Sequence, residues 1–514
     1  MTHHKDIFYN KAKIIDIEVG EELTVLLNER EAWLHGIKSV DKVALIYDGG
    51  KKAVVNVDLT HNIVKQWHVG IFKDVADKYG IKKWDLLGIY FTKRSHVSVE
   101  AIKDRLLGKK LSDEQITSII KDVSDNKLTD TLITYYAASN FVKKADNHEL
   151  YITAKAMAES GEMLKFDGVV VDKHCIGWVP GNETTMIVVP TIASLWIKIP
   201  KVFSKAITSP AATGECVDVL MNHTFQTDEI EKIVAKNNSC LIWWGGLSLA
   251  PADDKIIKVS YPLSMQSFGK MISSIMAKQY AMWINHCLID IPVWPTAKVS
   301  DKRTARKLKK QFEYVGKHLW MKMSVVITKA EQPIGRWIGA VLQVREVLRV
   351  LQQHDKRPSD LEDKAMYLAA KIVELSWLAK WKYALQMVKN QLKSGASWSK
   401  MQDIIKLQAH EWPSKYFEWK AWDLVSEDLI LWKIKYDIVS KVSGVVKSID
   451  MKYLNIISRT LWTPLSSQAW VFLETKLNDE IFEWSVLYTL YTNDKHKLEM
   501  ALSMLEKKDI YIVR

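Results

Sequence analysis

Glycine is scarce in this chain. Only 21 of its 514 residues are glycine, about 4% against a usual level of about 7%, whereas tryptophan, normally a rare residue, is equally numerous with 21. Glycine supplies the positions where φ is positive or where a ligand approaches the backbone closely. Tryptophan is the poorest replacement for glycine in both respects, so the two counts together are unusual for a globular protein.

Cysteine and long apolar runs are also scarce. The four cysteines lie far apart and form no C-x-x-C pair, so we expect neither a metal site nor a disulfide framework. The longest apolar run, residues 186–199, is interrupted by Pro190 and Lys198 and is too short to span a bilayer. The first residues, MTHHKDIFYNKAK, lack the apolar core of a signal peptide. We therefore expect a cytoplasmic protein without membrane contact.

Positive charge exceeds negative charge, with 72 Lys and Arg against 60 Asp and Glu and a formal net charge of +12. This excess favours anionic partners. Basic and acidic residues are interspersed, however, and a solvated basic surface explains the excess equally well. The sequence has no basic stripe with interleaved aromatic residues of the kind that stacks single strands, so nucleic acid is not an expected partner.

Hydrophobic periodicity predicts a multidomain protein of mixed α/β and α class. Residues 1–90 alternate apolar and polar positions and predict a small β-rich domain. Residues 91–165 have helical periodicity and predict a helical bundle. Residues 166–415 alternate short apolar strands with helices and predict a central α/β sheet domain, in which ligands bind at the carboxyl ends of the strands. Residues 416–514 contain β-rich segments and one helix.

Local signals mark several element ends. Asp48-Gly49-Gly50 predicts a hairpin turn, and Ser112 and Thr129 predict helix N-caps. The segments GVVVD, CLIDIPV and MSVVIT predict buried strands of the central sheet.

Two loops after predicted strands carry the strongest functional signal. VDKHCIGWVPGNETTMIVVP at 171–190 places Lys173 and His174 at the end of a buried strand, before a turn-rich loop, and KVFSKAITSPAAT at 201–213 adds a loop rich in Ser and Thr. A backbone that leaves a strand through Gly177 can turn its amides toward an anion. The pattern predicts phosphate binding, with Lys173 supplying charge and His174 acting as a proton carrier.

At these residues the chain resembles the family of thymidine phosphorylases and AMP phosphorylases, in particular its long branch. Further motifs agree in order: CLIWWGGLSLAPADD at 240–254, YPLSMQS at 261–267, SSIMAK at 273–278, LIDIPVWPTAKV at 288–299 and QPIGRWIG at 332–339. The resemblance covers nearly the whole chain, including the N-terminal segment VVNVDLTHNIVKQWHVGIF, which only the long branch carries. It implies that residues 416–514 form a separate C-terminal α/β lobe.

The resemblance implies reversible phosphorolysis of an N-glycosidic bond. Inorganic phosphate attacks C1′ of a nucleoside or nucleoside monophosphate and displaces the base, without a covalent enzyme intermediate. The transition state carries positive charge on the sugar ring and negative charge on the leaving base, so a fixed phosphate and donors at the base stabilise it. Phosphate is then a co-substrate, no cofactor or metal is needed, and the resemblance implies a homodimer or higher homo-oligomer.

The resemblance also assigns residues to the site. Phosphate is expected to contact Lys173, Cys175, Thr184, Ser204 and Thr213. His174 and Gln266 occupy the catalytic positions, and His174 is placed to donate to the base carbonyl or the ribose. The remaining substrate contacts are expected from Trp178, Lys205, Ala206, Ile207, Thr208, Ser209, Ser274, Lys278 and Lys298. Ser274 and Lys278 are four residues apart and therefore share one helical face.

Several residues depart from the family pattern. The long-branch Asp that is proposed as a proton donor is Gln266 here, which can donate a hydrogen bond but not a proton. The family's arginine in SRAITS is Lys205, so a planar bidentate donor becomes a point charge, and the Ser before that position is Phe203. Ala212 and Glu215 alter the PAGTAD motif. These differences weaken the expectation of full activity.

Three functional interpretations follow. Thymidine or another pyrimidine nucleoside is the first expected substrate, because Cys175 and VWPTAKV resemble bacterial members named as thymidine phosphorylases. AMP is the alternative, because the N-terminal segment is shared with AMP phosphorylases, and it would give adenine and ribose 1,5-bisphosphate. A third interpretation is a degenerate, non-catalytic member that binds nucleotide.

Tryptophan repeatedly stands where the family has glycine. The positions are Trp178, Trp196, Trp244, Trp283, Trp294, Trp320, Trp337, Trp381, Trp470 and Trp484. We hypothesise that the gene uses UGA as a glycine codon and that these tryptophans result from translating UGA as tryptophan. The alternative is a natural protein rich in tryptophan. The hypothesis predicts that some of these residues lie at turns that require positive φ.

Overall fold

The computed structural model describes residues 7–20, 23–39, 41–91, 96–177, 179–205, 211–247, 249–260, 267–409, 421–429, 434–461 and 469–514. The chain divides into two compact units. One comprises Met1–Lys144 with Pro251–Ser267, and the other comprises Ala145–Ala250 with Phe268–Arg514.

A closed six-stranded barrel begins the first unit. Its strands are β1 (Phe8–Ile15), β2 (Thr24–Asn28), β3 (Lys42–Tyr47), β4 (Lys51–Thr60), β5 (His68–Phe72) and β6 (Leu86–Phe91). The strand order is β1-β5-β2-β4-β3-β6, and β1 closes the barrel by pairing with both β5 and β6. Residues of β1 are alternately buried and exposed from Phe8 to Lys13, as the two-residue period of a strand requires. Asp48–Gly50 connects β3 to β4, which confirms the predicted hairpin.

Helices complete the first unit. They are α1 (Glu29–Leu34), α2 (Lys73–Tyr79), α3 (His96–Leu106), α4 (Asp113–Ser124), α5 (Asp130–Val142) and α10 (Pro251–Ser260). Ser112 caps α4 by accepting from the Gln115 N–H, and Thr129 caps α5, which confirms both predicted caps. Helix α10 packs against α4 and α5.

Parallel strands form the centre of the second unit. They are β7 (Val171–Cys175), β8 (Ile199–Phe203), β9 (Ser239–Trp243), β10 (His286–Val293) and β11 (Lys322–Lys329). Strand β10 lies between β7 and β11, β8 pairs with β9, and a parallel bridge from Val170 to Lys198 joins β7 to β8. All eight residues of β10 are buried, as expected for a strand covered on both faces.

The helices around this sheet follow in chain order. They are α6 (Asn147–Glu159), α7 (Thr185–Ala193), α8 (Thr213–Leu220), α9 (Thr227–Asn237), α11 (Phe268–Ala281), α12 (Lys302–His318), α13 (Ala340–Leu351), α14 (Ser359–Leu375), α15 (Trp381–Lys393) and α16 (Ala396–Leu407). Every residue of α7 is buried. This helix packs against α14 and α16, and each fully buried Val or Ile contributes about 1.5–3 kcal/mol to such a core. The start of α7 is therefore held rigidly at the end of the β7 loop.

Two antiparallel sheets and two helices end the chain. Their elements are β12 (Trp337–Ile338), β13 (Ile434–Val439), β14 (Gly444–Ile449), α17 (Met451–Leu461), β15 (Trp470–Leu473), β16 (Glu480–Ile481), β17 (Val486–Thr492), α18 (Lys495–Lys507) and β18 (Tyr511–Val513). The strand orders are β12-β15-β17-β13 and β16-β14-β18. Strand β12 thus joins a sheet whose other strands come much later in the sequence.

The architecture confirms a multidomain protein of mixed helices and strands with several sheets. The four-part division predicted from the sequence stays a prediction, since the chain separates into two units and α6 belongs to the second of them. No helix in the described part of the chain is long and apolar enough to cross a membrane.

Candidate functional site

Strand β7 directs a buried lysine toward the start of α7. Lys173 is only 2% exposed, and its Nζ donates to Thr184 Oγ1 at 2.8 Å and to Thr185 Oγ1 at 3.3 Å. Burial lowers the pKa of Lys173. An ammonium group beside the first turn of a helix, whose backbone N–H groups carry partial positive charge, favours an anion at this place.

The loop between β7 and α7 is held by its own side chains. Asn182 Nδ2 donates to Cys175 Sγ at 3.3 Å, and Thr184 Oγ1 lies 3.5 Å from Asn182 Oδ1. Burial raises the pKa of the Cys175 thiol, so it stays protonated near neutral pH. A protonated thiol is a weak hydrogen-bonding group and a poor nucleophile.

The second loop lies directly against the start of α8. A Cβ atom added to Gly214 would lie 3.1 Å from the Ser204 carbonyl oxygen and 3.1 Å from Lys205 Cγ, so a larger residue would require these neighbours to shift. Ser204 and Lys205 are both exposed. Thr213, the first residue of α8, donates from Oγ1 to Glu183 Oε2 at 3.1 Å. The structure thus links the α8 start to the β7 loop.

Glu183 is a buried carboxyl group that the sequence interpretation missed. It is 4% exposed, and besides Thr213 it accepts a hydrogen bond from Gln343 Nε2 at 3.3 Å. Burial raises the pKa of Glu183 to about 7, although the nearby Lys173 opposes this shift. Its charge therefore changes near neutral pH, next to two residues predicted to bind phosphate.

His174 follows Lys173 on β7 and is half-buried. Its pKa is lowered well below the usual value, first by burial and then by the positive charges of Lys201, Lys173, Lys278 and Lys298. The imidazole is therefore neutral near pH 7. A neutral ring can donate one hydrogen bond and accept another, but it is a poor acid. The lysines that depress its pKa create a positive field around the ring.

The base side of the predicted site lies on α11 and on the loop after β10. Lys278 Nζ donates to Ser274 Oγ at 3.1 Å, which confirms that the two share a helical face. The Lys278 ammonium also lies 3.4 Å from the centre of the Trp244 ring, and Trp244 is 9% exposed. Burial lowers the pKa of Lys298 to about 8. An indole therefore covers one of the two predicted base-side lysines.

Two buried ion pairs support β7 and β10, and the sequence interpretation missed both. Asp172 Oδ2 accepts from Lys201 Nζ at 2.9 Å and from Gln279 Nε2 at 2.7 Å. Asp290, which pairs in register with Cys175, accepts from Thr328 Oγ1 at 2.6 Å and lies 3.2 Å from Lys364 Nζ. The available signal was a charged residue inside an otherwise apolar strand, because such residues are rarely buried without a partner.

The remaining predicted site residues lie outside the described residues. They are Trp178, Ala206, Ile207, Thr208, Ser209 and Gln266. The predicted roles of the described site residues stay predictions as well. What the geometry adds is that hydrogen bonds connect Lys173 to Thr184 and Thr213 to Glu183.

Two curated relatives match most of the length of the chain. The chain is 34% identical over 500 residues to the AMP phosphorylase of Thermococcus kodakarensis. The alignment covers 97% of this chain and 96% of that protein. The chain is 35% identical over 419 residues to a provisionally named thymidine phosphorylase of Bradyrhizobium sp. strain ORS 278, which covers 81% of this chain and 79% of that protein.

No family model matches the chain. A solved structure does share its fold. Anthranilate phosphoribosyltransferase from Thermus thermophilus superposes with a TM-score of 0.51 at 12% identity, over 60% of this chain and 99% of that chain. At this identity the likeness concerns the fold alone.

Proposed function

The chain belongs to the family of the AMP phosphorylases and thymidine phosphorylases, and within it we propose that AMP is the substrate. The enzyme is a pentosyltransferase that cleaves an N-glycosidic bond with phosphate. For AMP, a phosphate oxygen bonds to C1′ while the bond from C1′ to the base nitrogen breaks. The base leaves with that electron pair and takes up a proton. The products are adenine and ribose 1,5-bisphosphate.

The comparisons favour AMP, the alternative in the sequence analysis, over thymidine, which was the first expectation. AMP phosphorylases match nearly the whole chain, whereas the thymidine phosphorylase relative matches a smaller share of it. Charge supports the same substrate. Lys173, Lys278 and Lys298 act on His174 besides Lys201, whose charge Asp172 offsets, and a nucleotide brings a 5′-phosphate in addition to the attacking phosphate. A positive field of this kind stabilises two anionic groups better than one.

Two hydrogen bonds carry the proposal of phosphorolysis. Lys173 donates to Thr184 at the start of α7, and Thr213 at the start of α8 donates to Glu183. We assign the attacking phosphate to this place. Lys173 supplies the charge, while Thr184 and Thr213 supply hydroxyl groups. Cys175 ends β7, and Ser204 follows β8. A phosphate fixed here stabilises positive charge as it develops on the sugar ring.

The leaving base needs hydrogen-bond donors rather than a strong acid. His174 is neutral and donates through one ring N–H, and Lys278 with Ser274 contacts the base from α11. Gln266 stands at the family's acid position and cannot release a proton, so the base takes its proton from solvent. Donors at this position lower the barrier because negative charge grows on the base as the bond breaks.

The test measures free base released from AMP, CMP, thymidine and uridine, each with and without phosphate. Two versions of the protein are compared, one with tryptophan and one with glycine at the ten positions where the family has glycine. We expect phosphate-dependent release of adenine from AMP, with a higher kcat/KM than for thymidine.

Each outcome separates the alternatives. Faster release of thymine would overturn AMP as the substrate and leave phosphorolysis intact. Binding of AMP measured by calorimetry, without release of any base in either version, would support the degenerate interpretation that the departures at Gln266 and Lys205 allow. Release of adenine without phosphate would exclude phosphorolysis.

A further inference from the structure

Seven tryptophans have a left-handed backbone conformation. Among the described residues other than glycine, twelve have positive φ, and seven of these are tryptophan. They are Trp67, Trp84, Trp196, Trp283, Trp320, Trp377 and Trp484, with φ between 60° and 76°. The other five are three asparagines, one aspartate and one glutamine. Asparagine and aspartate tolerate this region through their short polar side chains, whereas a bulky residue there is an outlier.

Three of these tryptophans end helices in the way that glycine does elsewhere in the chain. After α1, Gly36 and the residue that follows donate to carbonyls three and five positions back, at 3.1 and 2.8 Å. This pair of bonds closes a Schellman cap, whose left-handed residue is usually glycine. After α12, Trp320 and its successor form the same bonds at 3.2 and 2.8 Å. Trp283 after α11 and Trp377 after α14 repeat the pattern.

The indoles at these positions gain little in return. Trp320 is 88% exposed, Trp196 is 80% exposed and Trp377 is 78% exposed. Two of these three indoles lie near a lysine: Lys400 Nζ is 5.5 Å from the Trp196 ring, and Lys322 Nζ is 5.2 Å from the Trp377 ring. Exposed cation–π contacts are weak. Packing therefore does not explain why tryptophan stands at a left-handed position.

Other tryptophans of the same chain occupy ordinary places. Trp243 ends strand β9 with φ of −80°, and Trp398 lies inside α16 against the hydrophobic core. Among the described tryptophans, seven thus stand where φ is positive, whereas Trp243 and Trp398 stand where a bulky apolar residue fits. A protein that was merely rich in tryptophan would not be expected to place seven of them at left-handed positions.

We propose that the natural polypeptide carries glycine at residues 67, 84, 196, 283, 320, 377 and 484, because its gene reads UGA as glycine. The conformation points to three positions, 67, 84 and 377, that comparison with the family did not single out. Of the ten positions found by that comparison, Trp196, Trp283, Trp320 and Trp484 have positive φ.

The other six positions rest on the resemblance to the family alone. Trp244, Trp294, Trp337 and Trp470 have negative φ, Trp381 is the first residue of α15, and Trp178 lies outside the described residues. Position 244 has a functional consequence, which rests on the proposed function. Glycine at 244 removes the indole that covers the Lys278 ammonium. The ammonium then becomes available to the leaving base.

The direct test compares the codons of the gene with the residues found in the natural protein. We expect UGA codons at all seven positions and UGG codons at 243 and 398. Tandem mass spectrometry of the protein purified from its natural source should then find glycine at residues 196, 320 and 377 and tryptophan at 243 and 398. UGG codons at the seven positions, or tryptophan in the native peptides, would overturn the proposal.

A second test uses stability and does not depend on the natural source or on activity. Trp320→Gly should raise the Tm of the recombinant protein and lower its unfolding constant about fivefold, because left-handed strain disappears and little buried surface is lost. Trp398→Gly is the matched control and should lower the Tm, since it removes a packed side chain from a helix. A lower Tm for Trp320→Gly would contradict the proposal even if AMP proves not to be the substrate.

Discussion

The two sides of the candidate site are built differently. On the phosphate side, Lys173, Glu183 and Thr184 come from one strand, its loop and the next helix, and hydrogen bonds connect Lys173 to Thr184 and Glu183 to Thr213. On the base side, Lys278 lies on α11, Lys298 follows β10, and an indole from a third segment covers Lys278. Most of the first side comes from one continuous segment, residues 173–184, whereas the second side combines three segments of the chain.

This difference predicts how single substitutions act. A change on the phosphate side should alter the KM for phosphate, because the hydrogen-bonded segment acts on one ligand. A change on the base side should alter kcat and the KM for the nucleotide, because donors there act on the leaving group. If a phosphate-side substitution altered mainly the KM for the nucleotide, or a base-side substitution altered mainly the KM for phosphate, the two sides would not act separately.

Lys173→Ala should have the largest effect. The variant removes a buried ammonium group from the proposed phosphate-binding site. We expect kcat/KM for phosphate to fall about a hundredfold to a thousandfold, as for other single groups that stabilise transition-state charge. Initial rates of base release at varied phosphate concentration measure this effect. Lys232→Ala, which removes an exposed lysine of α9, serves as the control and should leave the rates unchanged. An unchanged phosphate dependence in Lys173→Ala would place the phosphate elsewhere.

Lys278→Ala should have the second largest effect and should act on the nucleotide. We expect kcat/KM for AMP to fall about tenfold to a hundredfold, while the KM for phosphate stays within about twofold, because a charge-assisted donor at the base is lost. Trp244→Gly tests the same place from the opposite direction and should raise kcat in a chain that carries tryptophan there. A large loss of Tm with normal kinetics would show that Lys278 is structural.

The sequence could indicate that Lys173 and Thr184 lie close together because the signals for this are local. The strand from Val171, the turn through Gly177 and the helix start at Thr185 follow one another, and their order alone brings Lys173 to Thr184. Glu183 escaped notice since nothing in a single sequence shows that a loop carboxylate becomes 4% exposed. That property arises from packing against α8 and α13, which follow later in the chain.

Other parts could not be predicted for similar reasons. The pairing of Asp172 with Lys201 joins two strands, and only the sheet order shows that the side chains meet. Strand β12 has just two residues and pairs with β15 across a long sequence separation, so periodicity gives no signal for it. The contact of Trp244 with Lys278 has the same character, because it depends on tertiary packing alone.

Glu183→Gln should change the pH dependence on the phosphate side. The pKa of Glu183 is raised to about 7 by burial, so its negative charge appears above that pH beside Thr213. Glu215 on α8 also lies near enough to raise the pKa, while Lys173 on β7 lowers it. We expect the KM for phosphate to rise severalfold from pH 6 to about 8 in the unchanged protein, and to rise less in the variant, because a carboxylate repels phosphate.

Stability should follow the same titration. The folded-state pKa of Glu183 lies above its unfolded value of 4.5, so the folded protein binds more protons between these two pH values. The contribution of Glu183 to the free energy of unfolding is therefore fully present below pH 4.5. It decreases by about 3 kcal/mol as the pH rises to about 7. Glu346→Gln is the matched control. Glu346 has the same raised pKa but accepts from the Arg336 backbone, so its variant should alter stability without altering the phosphate KM.

Cys175→Ser should have the smallest effect, although Cys175 lies on the phosphate side. Its Sγ accepts from Asn182 Nδ2, and a serine hydroxyl can accept the same bond. Burial keeps the thiol protonated, so the chemistry uses no thiolate. We expect kcat/KM for phosphate to change less than about threefold, which corresponds to about 0.6 kcal/mol. Iodoacetamide at neutral pH should leave the activity of the unchanged protein intact, because alkylation requires the thiolate. Rapid inactivation, abolished in Cys175→Ser, would show that the thiol is activated and that the hydrogen-bonded loop does not determine its state.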